Sequence, residues 1–279
     1  MKSPTDTRSA RLLAVATLAL ATLAPAAHAL DWSDTSVGFR YGTRFAEPYI
    51  GDHIAKRAVN LTHANGYKWG SNFLNIDLMA SDAKDSHAKE AYVVYRHTLD
   101  FGKVTGHDLS FGPVRGVGLT AGLDWNTKND PGYGSRQRRW LLGPTVMMDV
   151  PGFLNLSVLA AWDSNRPAAG SPCNCRYKYD PQWVFNANWG LPLGGTGLSF
   201  EGYVNYYSRK GVDEYGTTTV PQLDVDVALM YDVGAAMGWG KKSLRVGVGY
   251  QYWRNKFGQP SSVPGSLART PMLKVDMHF

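Results

Sequence analysis

Residues 224–232 read DVDVALMYD, and this stretch decides the fold. Its side chains fall into two alternating sets, Val225, Val227, Leu229 and Tyr231 against Asp224, Asp226, Ala228 and Asp232. A β-strand points successive side chains to opposite faces, and only this geometry separates the two sets. The sequence therefore predicts a strand with one apolar face and one charged face.

The same alternation recurs throughout the chain. It is clear at 73–80, 119–126 and 244–252. Between Thr35 and Phe279 we count about twelve such stretches, and an even number is typical of bacterial outer-membrane barrels. The segments between them predict two kinds of connection. Tight turns are expected at Asn65-Gly66 and Pro151-Gly152, and longer segments at 102–111 and 233–242, all at the end that carries both termini. Long polar loops are expected outside, at 81–89, 127–138, 163–181, 208–220 and 255–268.

The polar faces distinguish a membrane barrel from a soluble one. A closed soluble barrel of about twelve strands has an interior too wide for side chains to fill, and that interior would have to be apolar. Here one face of each strand is rich in Arg, Asp, Glu, Asn, Gly and Tyr, which suits an aqueous lumen. The chain ends with Leu273, Val275, Met277 and Phe279 on one face, as outer-membrane barrels typically do. The predicted fold class is therefore an all-β, twelve-stranded antiparallel transmembrane barrel of the outer-membrane type.

The first residues resemble a secretory signal. Lys2, Arg8 and Arg11 precede an apolar run at 12–23, which is followed by Ala27-His28-Ala29. A charged start, a short apolar core and a small-residue site define a cleaved signal peptide. We therefore expect 1–29 to be removed and 30–279 to form the barrel in the outer membrane of a Gram-negative cell. Beyond Leu30 no apolar run reaches about eighteen residues, so no transmembrane helix is expected.

Composition excludes several function classes. The net charge of +6 is small and scattered, which argues against a nucleic-acid partner. Cys173 and Cys175 are the only cysteines, and in an exported protein they can close a small disulfide ring. Two thiols without a nearby histidine do not make a metal site. We therefore predict no metal and no cofactor.

Several motifs resemble one family. They are Tyr41-Gly42-Thr43-Arg44-Phe45; Arg96, Asp100 and Asp108-Leu109-Ser110-Phe111-Gly112-Pro113; Arg136-Gln137 with Trp140 and Gly143; and Pro192-Leu193 followed by Gly197-Leu198-Ser199-Phe200 and Gly202. In order and spacing they resemble the nucleoside-specific outer-membrane channels, the Tsx-like porins, over nearly the whole chain from Thr35 to Phe279.

The resemblance implies a monomeric barrel with a narrow lumen that passes nucleosides down their gradient. It also implies weak binding sites made of aromatic and ionisable side chains, and outer loops that serve some family members as phage or colicin receptors. The partners expected with this reading are outer-membrane lipid and lipopolysaccharide, nucleosides or similar small solutes, and the barrel assembly machinery, which would act through the strand that ends at Phe279.

The lumen of such a channel must recognise an uncharged solute. A nucleoside needs flat apolar surfaces for its base and hydrogen-bonding groups for its ribose hydroxyls. With the polar face of each strand turned inward, acidic and basic groups roughly balance and are expected to pair across the lumen. The predicted channel-lining residues are Arg40, Arg44, Phe73, Asp77, Arg96, Asp100, Asp124, Glu201, Tyr203, Tyr207, Asp224, Asp226, Arg245 and Trp253.

Two other functions stay open at this stage. An outer-membrane lipid hydrolase would need a serine and a histidine facing lipid. His63 and His97 fit outward faces, but no nucleophile motif accompanies them. A structural or receptor barrel would have a plugged lumen and act through its basic outer loops. The sequence favours a passive channel over both, and no enzyme activity is predicted.

Overall fold

The computed structural model describes residues 30–169 and 175–279. The predicted signal peptide at 1–29 and Cys173 lie outside the described residues. Thirteen strands are present: β1 Leu30–Phe45, β2 Ile54–Tyr67, β3 Gly70–Ser81, β4 Lys89–Asp100, β5 Val114–Lys128, β6 Arg138–Met148, β7 Phe153–Asn165, β8 Tyr177–Lys178, β9 Gln182–Pro192, β10 Leu198–Tyr207, β11 Gln222–Asp232, β12 Leu244–Arg254 and β13 Leu267–His278.

All strands except the two-residue β8 form one closed ring. Consecutive strands pair antiparallel, β7 pairs directly with β9, and β1 pairs with β13, so every strand of the ring has two neighbours. The seam between β1 and β13 is short, with six directly opposed residue pairs from Ser36–His278 to Tyr41–Leu273. The predicted twelve-stranded antiparallel barrel is therefore confirmed.

The wall of the barrel has two chemically different sides. Along β13, Leu273 and Met277 are exposed, whereas Thr270, Met272 and Asp276 are buried. The other strands alternate in the same way, so exposed apolar side chains cover the outside and the polar faces meet in the interior, which we call the bore. An apolar outer band around a polar interior is the arrangement of outer-membrane barrels.

The two ends of the barrel differ in their connections. The inner end carries Leu30 and Phe279 and the connections at 68–69, 101–113, 149–152, 193–197 and 233–243. Two short helices lie there, α1 Phe101–Thr105 and α2 Val233–Ala236. The outer end carries the connections at 46–53, 82–88, 129–137, 166–181, 208–221 and 255–266. Among the described residues, no helix has the length and apolar character required to cross a membrane.

One predicted turn is wrong. Asn65-Gly66 belongs to β2, and the turn falls at Lys68 and Trp69, because the ladder continues until Tyr67 pairs with Gly70. The role of Gly66 is to leave space for a neighbouring side chain. A Cβ at this position would collide with the indole of Trp32 on the neighbouring strand β1, so the small residue makes room for an aromatic side chain rather than for a change of chain direction.

Candidate functional site

The bore is the candidate functional site, because it collects most of the predicted lining residues. Phe73, Arg96 and Asp124 lie opposite inward-facing residues of their neighbouring strands, and the alternation of burial places the others the same way. The predicted residues that face the bore are Arg40, Phe73, Asp77, Arg96, Asp124, Glu201, Tyr203, Tyr207, Asp224, Asp226, Arg245 and Trp253.

Arg44 lies elsewhere. The pairing of β1 with β2 shifts between Gly42 and Phe45, so the alternation from which Arg44 was assigned inward does not continue to this position. The side chain is exposed at the outer end, where its Nη2 atom lies 3.5 Å from Nε2 of His53.

Asp100 has a local structural role. Its Oδ1 atom accepts hydrogen bonds from the backbone amides of Gly102 at 3.0 Å and Lys103 at 3.2 Å. These are unpaired donors in the first turn of α1, and an aspartate at this position is a common helix cap. The residue therefore terminates β4 and starts the short helix at the inner end.

A ladder of ion pairs runs along the wall at the middle of the bore. Arg40 contacts Asp77 at 2.5 Å, and Arg96 contacts Asp124 at 2.6 Å. Arg139 joins this ladder by contacting Asp124 at 3.4 Å and Asp163 at 3.0 Å. Charge pairs are therefore present, but they join neighbouring or next-neighbouring strands along the wall, whereas the sequence led us to expect pairs across the lumen. The pairs hold several strands together and leave the middle of the bore strongly polar.

Sequence reasoning missed Arg139 and Asp163. Asp163 was assigned to the outer loop at 163–181, and Arg139 directly follows the loop expected at 127–138, yet β6 and β7 extend far enough for Arg139 to lie opposite Asp124 on one side and Asp163 on the other. The alternation of β6 was hard to follow because its buried side includes Leu141 and Met147 as well as Arg139. One indication was available in the sequence: if β6 is a strand, Arg139 and Thr145 fall on the same face, which marks that face as the inward one.

A second ionic cluster closes the outer end, and we call it the outer cluster. Its centre is Glu47, whose Oε1 atom lies 2.5 Å from Nζ of Lys56 and 3.1 Å from Nζ of Lys256. Asp85 adds contacts to Lys128 at 2.8 Å and to Lys56 at 3.7 Å. These five side chains come from five different strand ends and loops around the barrel, and all are nearly completely buried.

Electrostatics at the outer cluster favour the ionised carboxylate. Burial alone would raise the pKa of the Glu47 carboxyl, but Lys256, Lys56 and Lys128 outweigh that effect and hold the pKa well below its usual range. For Lys256 the effect of burial on the pKa is larger than the effect of the nearby charges. Burial lowers the pKa of its ammonium, and the attraction of Glu47 does not fully restore it. The cluster is thus a site where positive charge is crowded around one carboxylate.

The outer loops are joined further round the rim. Glu214, on the 208–221 connection, accepts hydrogen bonds from the hydroxyl groups of Tyr133 and Tyr179. Burial, followed by the nearby negative charge of Glu214, raises the pKa of Tyr133 far above its usual range, so this phenol stays protonated as a donor. Lys210 of the same connection reaches down to Asp163 at 3.2 Å. One loop therefore links the rim to the ion pairs of the bore.

Exposure along the bore is uneven. In the outer half, the inward-facing side chains that the structure describes are almost fully buried, as Gln182, Gln222 and Thr270 illustrate. In the inner half, Phe73 is 40% exposed and Asn188 is half-buried, whereas Thr145 and Met230 are buried. The outer cluster and the joined loops cover the outer end, and the inner half contains both exposed and buried side chains.

A separate polar group lies on the outside of the barrel near the inner end. A chain of hydrogen bonds crosses the four strands β1 to β4 on this outer surface. Its successive links are Tyr67–His97 at 3.2 Å, His97–Asn72 at 2.8 Å, Asn72–Asn65 at 3.0 Å, Asn65–His63 at 3.0 Å and His63–Thr35 at 2.8 Å. His63 and His97 thus face outward, as the sequence indicated.

This chain has one direction. The amide nitrogen of Asn72 donates to Oδ1 of Asn65, so the amide nitrogen of Asn65 must donate to Nε2 of His63. The proton of His63 is then on Nδ1, which donates to the hydroxyl of Thr35. In this arrangement Nδ1 of His63 donates to the hydroxyl of Thr35, so His63 does not act as a base toward that hydroxyl.

Comparisons with known proteins add similarity of shape only. No family model matches this chain, and no curated protein matches it. Among solved structures, the NanC porin is 10% identical with a TM-score of 0.49, over 88% of this chain and 99% of that one. The KdgM porin is 10% identical with a TM-score of 0.43 over the same shares. The translocator domain of the autotransporter NalP from Neisseria meningitidis is 14% identical with a TM-score of 0.46, over 98% of each chain.

Proposed function

We propose that this protein is an outer-membrane channel through which small polar solutes, nucleosides among them, diffuse passively. The observation that carries the proposal is the division of the wall, with an apolar outside and an inside lined by paired charges and aromatic rings. A closed barrel with that division places a polar passage across a lipid layer. The signal at 1–29, the monomeric state and the partners expected from the sequence belong to the same proposal.

The lining offers what a nucleoside needs. Tyr203, Tyr207 and Trp253 provide aromatic faces, and base stacking on such a face is worth about 1 to 3 kcal/mol. Carboxylates of the ion-pair ladder keep free lone pairs for ribose hydroxyls. No single contact in this set is strong, which suits flux, because a solute that binds tightly at one place does not leave.

The test is solute entry into liposomes that contain the purified protein. We expect adenosine and thymidine to enter several-fold faster than a sugar of similar size, because only the nucleosides can stack on the aromatic lining. Tyr207→Leu should reduce this difference, whereas Tyr231→Leu, on the outer face of β11, should not. Equal entry of nucleosides and sugar would reduce the protein to a general pore, and no entry of either would reject the channel.

A second candidate is favoured by one observation, the covered outer end of the bore. A barrel that never opens would act as a structural or receptor protein through its outer loops. Single-channel recording separates the two functions. Measurable conductance, reduced by millimolar nucleoside, supports the channel. Conductance near zero under all voltages, together with tight binding of an external partner, supports the receptor.

A further inference from the structure

We propose that the bore contains a binding site for a small organic cation, formed by Asp224 and Asp226 of β11 together with Trp253 of β12 and Tyr203 of β10. This inference deepens the proposed channel, since it names the class of solute that the lining retains best. The cation expected is a primary ammonium of a few carbon atoms, which passes as a charged solute alongside neutral ones.

The arginines in the middle of the bore pair most closely with carboxylates other than Asp224 and Asp226. Arg40 is held by Asp77 at 2.5 Å, and the guanidinium groups of Arg96 and Arg139 are engaged by Asp124 and Asp163. Among the described residues, the ion-pair contact of Asp226 is a distant one of 3.9 Å with the already paired Arg40, and Asp224 forms none within 4.0 Å. Lys256 and Lys274 act on these two carboxylates only from longer range, so neither carboxylate has a close cationic partner of its own.

The orientation of the two carboxylates is equally informative. Asp224 and Asp226 are each only 5% exposed, yet Oδ1 of Asp224 and Oδ2 of Asp226 accept no hydrogen bond from any described residue. Within the same part of the chain, the hydrogen bond to this pair comes from the hydroxyl of Tyr203, which donates to Oδ2 of Asp224 at 3.3 Å. Buried carboxylate oxygens without donors are costly, and a bound ammonium with three N–H groups would satisfy them.

An independent observation shows that the site accommodates an ammonium. Trp253 lies directly opposite Asp224 in the β11–β12 ladder, and Nζ of Lys256 stands 4.9 Å from the centre of its ring. Lys256 comes from the outer loop at 255–266 and is held there by Glu47 and by the carbonyl of Ala46 at 2.8 Å. The chain thus places its own primary ammonium over the aromatic face beside Asp224, and a solute ammonium would replace it when that loop moves.

The surroundings favour an organic cation over a metal ion. Among the described residues, no group of three or more His, Cys, Asp or Glu side chains is arranged to hold a metal. Two carboxylates beside a tryptophan and a tyrosine instead match the way proteins bind ammonium groups, with charge on one side and an aromatic face on the other. A neutral alcohol could use the hydrogen bonds but neither the charge nor the aromatic face.

The first test measures binding without any flux. Isothermal titration of the detergent-solubilised full chain should show n-butylammonium binding more tightly than 1-butanol by at least about tenfold. Asp224→Asn with Asp226→Asn should remove that preference. Asp108→Asn, which removes an exposed acid at the inner end, should leave it unchanged. Lys256→Met should strengthen n-butylammonium binding, a gain that a purely structural role of Lys256 would not give. Equal affinity for the amine and the alcohol overturns the inference.

The second test measures ion selectivity in planar bilayers. In a potassium chloride gradient the reversal potential should indicate a preference for potassium, and the Asp224→Asn, Asp226→Asn double variant should lose it. The outcomes separate the two proposals. Conductance without amine binding and without cation preference refutes only the cation site. Amine binding without any conductance refutes only the channel. The absence of both refutes both.

Discussion

Glu47 shows how one side chain can determine the state of the outer end. It binds two ammonium groups that are far apart in sequence, Lys56 and Lys256, and the latter also stands over Trp253. Removing the carboxylate would leave two buried cations without their main partner. Breaking a buried pair in this way is strongly destabilising, because a charge remains in a poorly solvated place.

We therefore expect Glu47→Gln to lower the free energy of unfolding by about 3 to 5 kcal/mol. The measurement is urea unfolding of the protein in lipid vesicles. Asp31→Asn is the matched control. It removes one carboxylate from an exposed pair with Lys103, and such pairs contribute at most about 1 kcal/mol. A similar small loss in both variants would show that Glu47 does not hold the outer end.

The pH dependence follows from the same residue. The pKa of Glu47 in the folded protein lies below its value in the unfolded chain, so the ionised carboxylate stabilises the fold at every pH above the unfolded value. That contribution is lost only as the pH falls through the lower, folded pKa. The outer cluster should therefore remain closed in mildly acidic solution. An increase in conductance between pH 7 and pH 5 that Glu47→Gln abolishes would contradict this.

At the scale of single strands, the periodicity of the sequence predicted most of the inward and outward faces. Alternation predicted which residues of β11 and β12 share a face, because a strand has a period of two and tolerates no slip. It failed at Arg44, where one register shift reverses the assignment. It also failed at Asn65-Gly66, because a glycine beside an asparagine predicts a turn equally well when its real role is to accommodate Trp32.

The turn that does occur, between β2 and β3, gives a prediction for Gly70. A Cβ at this position would collide with the backbone carbonyl of Thr98 on β4, and a backbone atom in a ladder cannot move aside. Gly70→Ala should therefore cost about 1 to 3 kcal/mol, as overpacking does elsewhere. Gly195→Ala, in a connection of the same end where the added methyl meets nothing, is the control. Unfolding in urea compares the two, and equal stability would show that the turn adjusts freely.

At the scale of the whole molecule, the closed outer end was beyond the reach of the sequence. The contacts that create it join residues distant along the chain, such as Glu47 with Lys256 and Tyr133 with Glu214, and no local pattern marks such pairs. The loops themselves were predicted from their turn residues and polarity. What could not be predicted is that they fold over the bore and bury their charges instead of extending into water.

Closure by charge pairs predicts that exchanging one pair for neutral side chains opens the bore. The double variant Glu47→Gln, Lys256→Gln keeps the net charge and removes the ion pair between the 46–53 and 255–266 loops, leaving the hydrogen bonds of Tyr49 to Pro264 and Gln259 in place. We expect its single-channel conductance to exceed that of the unaltered protein. The control exchanges Asp31 and Lys103 for Asn and Gln at the inner end, which should leave conductance unchanged. No difference between the two double variants would place the constriction elsewhere.

The short seam between the first and last strands sets a mechanical asymmetry. β1 and β13 share six opposed residue pairs, whereas β12 and β13 share eleven. A closed sheet under tension should separate where its strands share the fewest backbone pairs. We therefore expect β1 to separate from β13 along Ser36–Tyr41 before any other pair of strands separates. Because the two edges come from opposite ends of the chain, closing that seam is also the step of assembly with the greatest entropic cost.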